Sequence, residues 1–116
     1  MTTVTIYHNP RCSKSRQTLQ LLRDNGIDPR IIEYLKSPPT KSELNSILKM
    51  LGMEPRDLMR KQENEYKQDG LDDPDLNRND LIQAMLQHPV LIERPIVISK
   101  NKAVIGRPPE NVLAII

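Results

Sequence analysis

One helix-length segment separates two short runs of strand-forming residues, and this spacing constrains the fold more than any other feature of the chain. Val4-Thr5-Ile6-Tyr7 and Arg30-Ile31-Ile32-Glu33-Tyr34 are rich in β-branched and aromatic residues. Between them Thr18, Leu19, Leu21 and Leu22 recur at helical spacing, and Asp24-Asn25-Gly26 supplies a stop. Two strands joined by one helix form a crossover unit, which makes them parallel.

The remainder of the chain alternates breakers with amphipathic stretches. Pro38-Pro39 interrupts it. Thr40-Lys41-Ser42-Glu43 then has the pattern of a capping box, and Leu44, Ile47, Leu48 and Leu51 form one apolar stripe that Gly52 ends. Pro55 suits the first turn of a further helix running to Lys61, with Arg60 on its solvated side. Gln62 to Asp75 is polar and reads as a loop with a turn of helix at Tyr66. Asn77 or Asn79 caps a helix carrying Leu81, Ile82, Met85 and Leu86, which Pro89 closes. Ile96-Val97-Ile98 is an apolar run suited to a strand buried on both faces, with Pro95 at its entrance. Ser99 to Lys102 turns the chain, although without the usual glycine, into Ala103-Val104-Ile105. Pro108-Pro109 opens a last helix holding Val112, Leu113 and Ile116. The reading is α/β: a four-stranded mixed sheet with flanking helices, and a helical insertion at about 40–88 between strands two and three. The length fits one domain over residues 1–116.

The only cysteine, Cys12, falls where the first strand gives way to the first helix. Backbone N–H groups there lack partners, and the helix dipole is positive. Arg11, Lys14 and Arg16 add positive charge nearby. All of this favours thiolate over thiol and a nucleophilic role. The same loop can cradle a tetrahedral oxyanion, with Ser15 in its first helical turn. With no second cysteine, any oxidised or modified Cys12 must be restored by a thiol from another molecule.

Composition narrows the classes further. Phe and Trp are absent, so the core must be aliphatic. A net charge of +2 without a basic run or interleaved aromatics gives nucleic-acid binding little support. No segment resembles a signal peptide or a membrane span. One Cys and two His offer no metal-ligand set. A free, activated thiol fits a reducing compartment, so a cytoplasmic location is expected.

The element order, with Cys12 at the first helix N-terminus and Pro95 entering the third strand, resembles the thioredoxin/glutaredoxin fold. His8-x3-Cys12-x3-Arg16, Thr5-Ile6-Tyr7-His8-Asn9-Pro10, Leu86-Gln87-His88-Pro89, Arg94-Pro95-Ile96-Val97 and Gly106-Arg107-Pro108 are similar to the glutaredoxin-linked arsenate reductase family. The resemblance implies a cis Pro95 lying against the cysteine. It also implies that Cys12 attacks arsenate to form a covalent adduct, and that glutathione and glutaredoxin then resolve it with release of arsenite. Arg60, Arg94 and Arg107 match the family's oxyanion-binding arginines, and His8 its cysteine-activating histidine. Glutathione is then a co-substrate, no cofactor is bound, and the protein acts as a monomer.

Two other functions fit parts of the pattern. One is a glutathione-dependent thiol oxidoreductase acting on another small substrate. The other is an RNA-polymerase-binding regulator of the same fold. Such regulators commonly carry Cys-x-x-Cys at the first helix, where this chain has Ser15.

Overall fold

A computed structural model describes residues 3–116 and divides them into two compact units. The first holds residues 3–37 together with Arg94–Ile116, and the second holds Pro38–Glu93.

The first unit is built on β1 (Thr5–His8), α1 (Ser13–Asp24), β2 (Arg30–Glu33), β3 (Ile96–Ser99) and β4 (Lys102–Ile105). The strand order is β2-β1-β3-β4. β1 runs parallel to β2 and antiparallel to β3, and β4 returns antiparallel on β3. This is the expected four-stranded mixed sheet. The apolar run Ile96-Val97-Ile98 lies in an interior strand, which explains its continuity.

One face of the sheet buries Val4, Ile6 and Val97 against Leu22 of α1 and Val112 and Ile115 near the C-terminus. Leu19, Leu21, Ile27, Val104 and Ile116 pack around them. Each such aliphatic side chain contributes roughly 1.5–3 kcal/mol on burial. The closing segment differs from expectation. It is a 3-10 helix, Pro109–Ala114, in which Val112 is fully buried and Leu113 is 46% exposed. Val112 and Ile115, the residue that caps the segment, enter the core, and Ile116 packs beside them.

The β3–β4 turn manages without glycine. Lys100 and Asn101 both take positive φ, 54° and 62°, as a two-residue hairpin turn requires. The Arg94–Pro95 bond is cis, as the resemblance implied, and so is Arg107–Pro108.

In the second unit, α2 (Lys41–Leu51) begins with the expected capping box. Thr40 Oγ1 accepts from the Glu43 N–H at 3.1 Å, and Glu43 Oε1 accepts from the Thr40 N–H at 2.9 Å. Gly52 ends α2 in the left-handed region, at φ 67°. α3 (Pro55–Leu58), α4 (Asn64–Gln68) and α5 (Arg78–Gln87) follow, with Asn77 capping α5 and a 3-10 turn at Pro89–Leu91. The interior is aliphatic: Leu44, Ile47, Leu48, Leu58, Ile82, Met85 and Leu91 are essentially inaccessible.

α3 stops three residues short of Lys61. Met59 instead forms an antiparallel bridge with Ile92, Arg60 N–H donates to the Leu91 carbonyl at 2.7 Å, and Glu93 N–H donates to the Leu58 carbonyl at 2.9 Å. Arg60 is therefore not on an amphipathic helix. Among the described residues no helix is long and apolar enough to cross a membrane.

Candidate active site

The loop from β1 to α1 is folded by short polar contacts that place the sulfur. Asn9 organises it. Its Oδ1 accepts from the Arg11 N–H at 3.0 Å, and its carbonyl accepts from the Cys12 N–H at 3.0 Å. An Asn before proline is a turn-forming signal, so this role was readable in the chain but was not singled out. Arg16 Nη1 donates to the Pro10 carbonyl at 2.9 Å and ties the loop to α1. Cys12 emerges as the N-cap residue of α1 with extended backbone, and its carbonyl accepts the first helical N–H, from Arg16.

The surroundings of Cys12 decide its ionisation. Burial is the largest single influence and opposes the thiolate. The Ser15 backbone N–H, a hydrogen bond and charge from Arg94, and the charge of Arg107 outweigh it together, so the thiol is held below its ordinary range. Arg107 Nη2 lies 3.5 Å from Sγ. Its Nε donates to the Arg94 carbonyl at 2.8 Å, so the residue before Pro95 also orients the arginine after Gly106.

Gly106 makes this approach possible. A Cβ there would lie 2.5 Å from Thr18 Oγ1 and 2.8 Å from Pro95 Cγ. Thr18 is fully buried in α1, and its hydroxyl donates to the Lys14 carbonyl at 2.8 Å. The absence of a side chain at Gly106 lets the end of β4, the first turns of α1 and Pro95 close on one another. Nothing local in the sequence signals this, because Thr18 is 88 positions away.

His8 sits at the end of β1, 6% exposed, with Nδ1 2.6 Å from Ser15 Oγ. Ser15 Oγ also accepts from the Asn9 N–H at 3.0 Å. Burial is the main influence on His8 and lowers its pKa; Glu33 opposes this, and Arg23 and Arg16 add to it. The imidazole is therefore mostly neutral at pH 7, and its partner is the Ser15 hydroxyl. A protonated histidine would favour a nearby thiolate, which a neutral one does not do by charge.

The structure thus brings Cys12, Ser15, Arg94 and Arg107 together, with His8, Arg16 and Pro95 in support. Arg60 belongs to the second unit. There its Nε donates to Glu63 at 3.1 Å and its Nη1 to Glu93 at 2.9 Å. Among the described residues no group of His, Cys, Asp and Glu is placed to hold a metal ion.

A single activated sulfur beside paired guanidinium groups can attack an electrophilic oxyanion centre while the arginines hold its oxygens. The chain is similar to known proteins over nearly its whole length. The chain is 54% identical over 114 residues to the uncharacterized protein YfgD of Escherichia coli strain K12, covering 97% of this chain and 96% of that one. It is 52% identical over 114 residues to an arsenate reductase of Haemophilus influenzae, covering 97% and 98% of the two chains. Among solved structures, the arsenate reductase from Vibrio cholerae superimposes with a TM-score of 0.97 at 49% identity, over 99% of this chain and 98% of that one. Residues 7–115, from the end of β1 through the nucleophile loop to the last buried side chain, match the ArsC family, and the chain, with its thioredoxin-like fold, belongs to that family.

Proposed function

We propose that this protein is an arsenate reductase that uses glutathione and glutaredoxin. The observation that carries the reading is the position of Cys12. Its sulfur is the N-cap side chain of α1, its pKa is lowered, and Arg107 Nη2 lies 3.5 Å away. Similarity to chains named arsenate reductase over nearly their full length supports it.

The chemistry balances as follows. The Cys12 thiolate attacks arsenic(V) of arsenate and forms an S–As bond as one oxygen leaves as water. Glutathione replaces a second oxygen on arsenic, again with loss of water. The glutaredoxin thiolate then attacks the glutathione sulfur and forms a mixed disulfide, and the electron pair of the S–As bond stays on arsenic, which becomes arsenic(III). Hydrolysis of the remaining bond to Cys12 releases arsenite and restores the thiol. Two external thiols are oxidised to one disulfide, matching the two-electron reduction of arsenic. The lone cysteine requires this external supply.

In this reading Arg94 and Arg107 bind the oxyanion, with Arg60 as a third anion ligand. Guanidinium groups suit the task because their planar forks make charge-assisted bonds to tetrahedral anions. Ser15 presents its N–H to the sulfur and His8 holds the Ser15 hydroxyl. No cofactor is bound, and the protein works as a cytoplasmic monomer on the free anion.

The test is arsenate turnover by the purified protein, with glutathione and glutaredoxin supplied separately and together. Arsenite should form only with both, and Cys12→Ser should abolish it, because a serine hydroxyl is hardly ionised at neutral pH. Absence of turnover by the wild-type protein with both thiols present would refute the reading.

A further inference from the structure

We infer that the cleft beside the nucleophile loop, between Pro10–Arg11 and Glu33–Lys36, is the subsite for the γ-glutamyl head of glutathione. The inference rests on the proposed use of glutathione and names where in the first unit that thiol is recognised.

The cleft has a volume of about 230 Å³, and every residue that lines it belongs to the first unit. Sites for whole drug-sized ligands run to roughly 300–1,000 Å³, so this one suits one end of a tripeptide. Backbone bonds fix both of its rims. On one side Asn9 Oδ1 accepts from the Arg11 N–H at 3.0 Å, and the Asn9 carbonyl accepts from the Cys12 N–H at 3.0 Å. On the other, the Glu33 carbonyl accepts from the N–H groups of Lys36 and Ser37, each at 2.9 Å. A preformed cleft lowers the ordering cost of a flexible ligand.

The lining carries both signs of charge beside carbon. Arg11 and Lys36 supply cations, Glu33 a carboxylate, and Pro10 and Leu35 apolar surface. Leu35 is 44% exposed, so a ligand in the cleft has apolar area to cover. Lys36 Nζ stands 3.8 Å from Glu33 Oε1, beyond hydrogen-bond distance, so neither group is committed to the other.

A zwitterion on a short methylene stem answers each of these features. Its α-carboxylate pairs with Arg11 or Lys36, its α-ammonium with Glu33, and its methylenes with Leu35 and Pro10. An ordinary peptide end offers only an ammonium or only a carboxylate. The γ-linkage of glutathione leaves both on one carbon. The head also lies within reach of the chemistry. From Pro10 to Cys12 the chain advances at most about 7 Å, a span that extended glutathione covers between its sulfur and the γ-glutamyl α-carbon. The head can therefore sit in the cleft while the sulfur stands at the nucleophile. Arg11, Glu33 and Lys36 select the thiol by its head and take no part at the arsenic.

The experiment titrates the wild-type protein with S-methylglutathione, which cannot react, and follows backbone amide resonances by NMR. Those of Arg11, Glu33, Leu35 and Lys36 should move saturably. S-methylcysteinylglycine lacks the head and free glutamate lacks the thiol arm; each should bind about tenfold more weakly. Arg11→Ala/Lys36→Ala should weaken S-methylglutathione about tenfold and Glu33→Gln about threefold, as expected for exposed ion pairs. Arg11 and Lys36 are exposed, so this variant keeps its core. Lys102→Ala removes a charge at the opposite end of the sheet and should leave binding unchanged. The inference is overturned if S-methylglutathione does not bind, if the amides that move lie elsewhere, or if either fragment binds as tightly. It is overturned equally if Lys102→Ala weakens binding as much as the double variant does. Failure of the proposed function reads differently: arsenate would not be turned over, while S-methylglutathione binding, which needs no turnover, still reports on the cleft.

Discussion

Arg107 Nη2 stands 3.5 Å from Cys12 Sγ while its Nε is fixed to the Arg94 carbonyl at 2.8 Å. The arginine is thus aimed at the sulfur by the backbone of the other arginine that lowers the thiol pKa. A guanidinium placed this way bonds its anion directly, whereas a surface charge acts through a screened field. Arg107→Ala and Arg94→Ala should each weaken protection of Cys12 by sulfate about tenfold to a hundredfold, following the roughly 1.5–3 kcal/mol of a hydrogen bond to a charged group. The loss should persist at high salt. Arg107→Lys should recover only part of it, since an ammonium has no fork. Arg23→Ala, on α1 away from the sulfur, is the control and should change little.

Gly106 is the spacer on which this aim depends. Gly106→Ala places a methyl group 2.5 Å from Thr18 Oγ1 and 2.8 Å from Pro95 Cγ, so α1 or the end of β4 must shift. Overpacking of this kind costs about 1–3 kcal/mol. Urea unfolding should show that loss together with a slower Cys12 alkylation rate. A change below about 0.5 kcal/mol would mean that the close approach is not constrained.

The burial of His8 predicts a pH dependence of stability. Burial lowers the folded-state pKa of His8 below its ordinary value near 6.5. Below that value the unfolded chain binds the proton more readily than the folded one. The contribution of His8 is therefore fully present above about pH 6.5 and is lost as the pH falls toward its folded-state value. In His8→Gln, stability should fall less between about pH 6.5 and 5 than in the wild type, as read by denaturation midpoints. Parallel curves for the two proteins would contradict it.

The β3–β4 hairpin predicts a stabilising change. Lys100 holds φ at 54°, a region that costs a side-chain-bearing residue about 1–2 kcal/mol. Lys100→Gly removes that cost and adds chain entropy to the unfolded state, for a net gain of about 0.5–1 kcal/mol. The melting temperature should rise; a fall would place the strain elsewhere.

What could be read from the chain follows from how local each cause is. The Thr40–Glu43 capping box spans four residues and contains its own reason, so pattern and structure agree. The strand–helix–strand start, and with it the site of Cys12, is equally local. Arg60 was placed on the wrong element because α3 ends for a distant cause, the pairing of Met59 with Ile92. Its two glutamates are 3 and 33 positions away, and only the nearer lies within reach of a helical pattern. The last segment is a 3-10 helix that leaves Leu113 exposed while Val112 and Ile115 are buried, which composition does not signal. Gly106 and Thr18 meet only in the folded sheet. The position of Cys12 at the start of α1 was therefore legible, whereas the contacts that aim Arg107 at it were not.

The pH dependence of Cys12 alkylation by iodoacetamide tests the central claim most directly. Burial alone would push the thiol up, so a lowered midpoint requires the Ser15 N–H and the two arginines to outweigh it. The wild-type midpoint should lie below the ordinary thiol value of about 8.5, and Arg94→Ala and Arg107→Ala should each raise it. A wild-type midpoint at or above about 8.5, unmoved by either substitution, would contradict the account of Cys12 as an activated nucleophile in an arginine-lined oxyanion site.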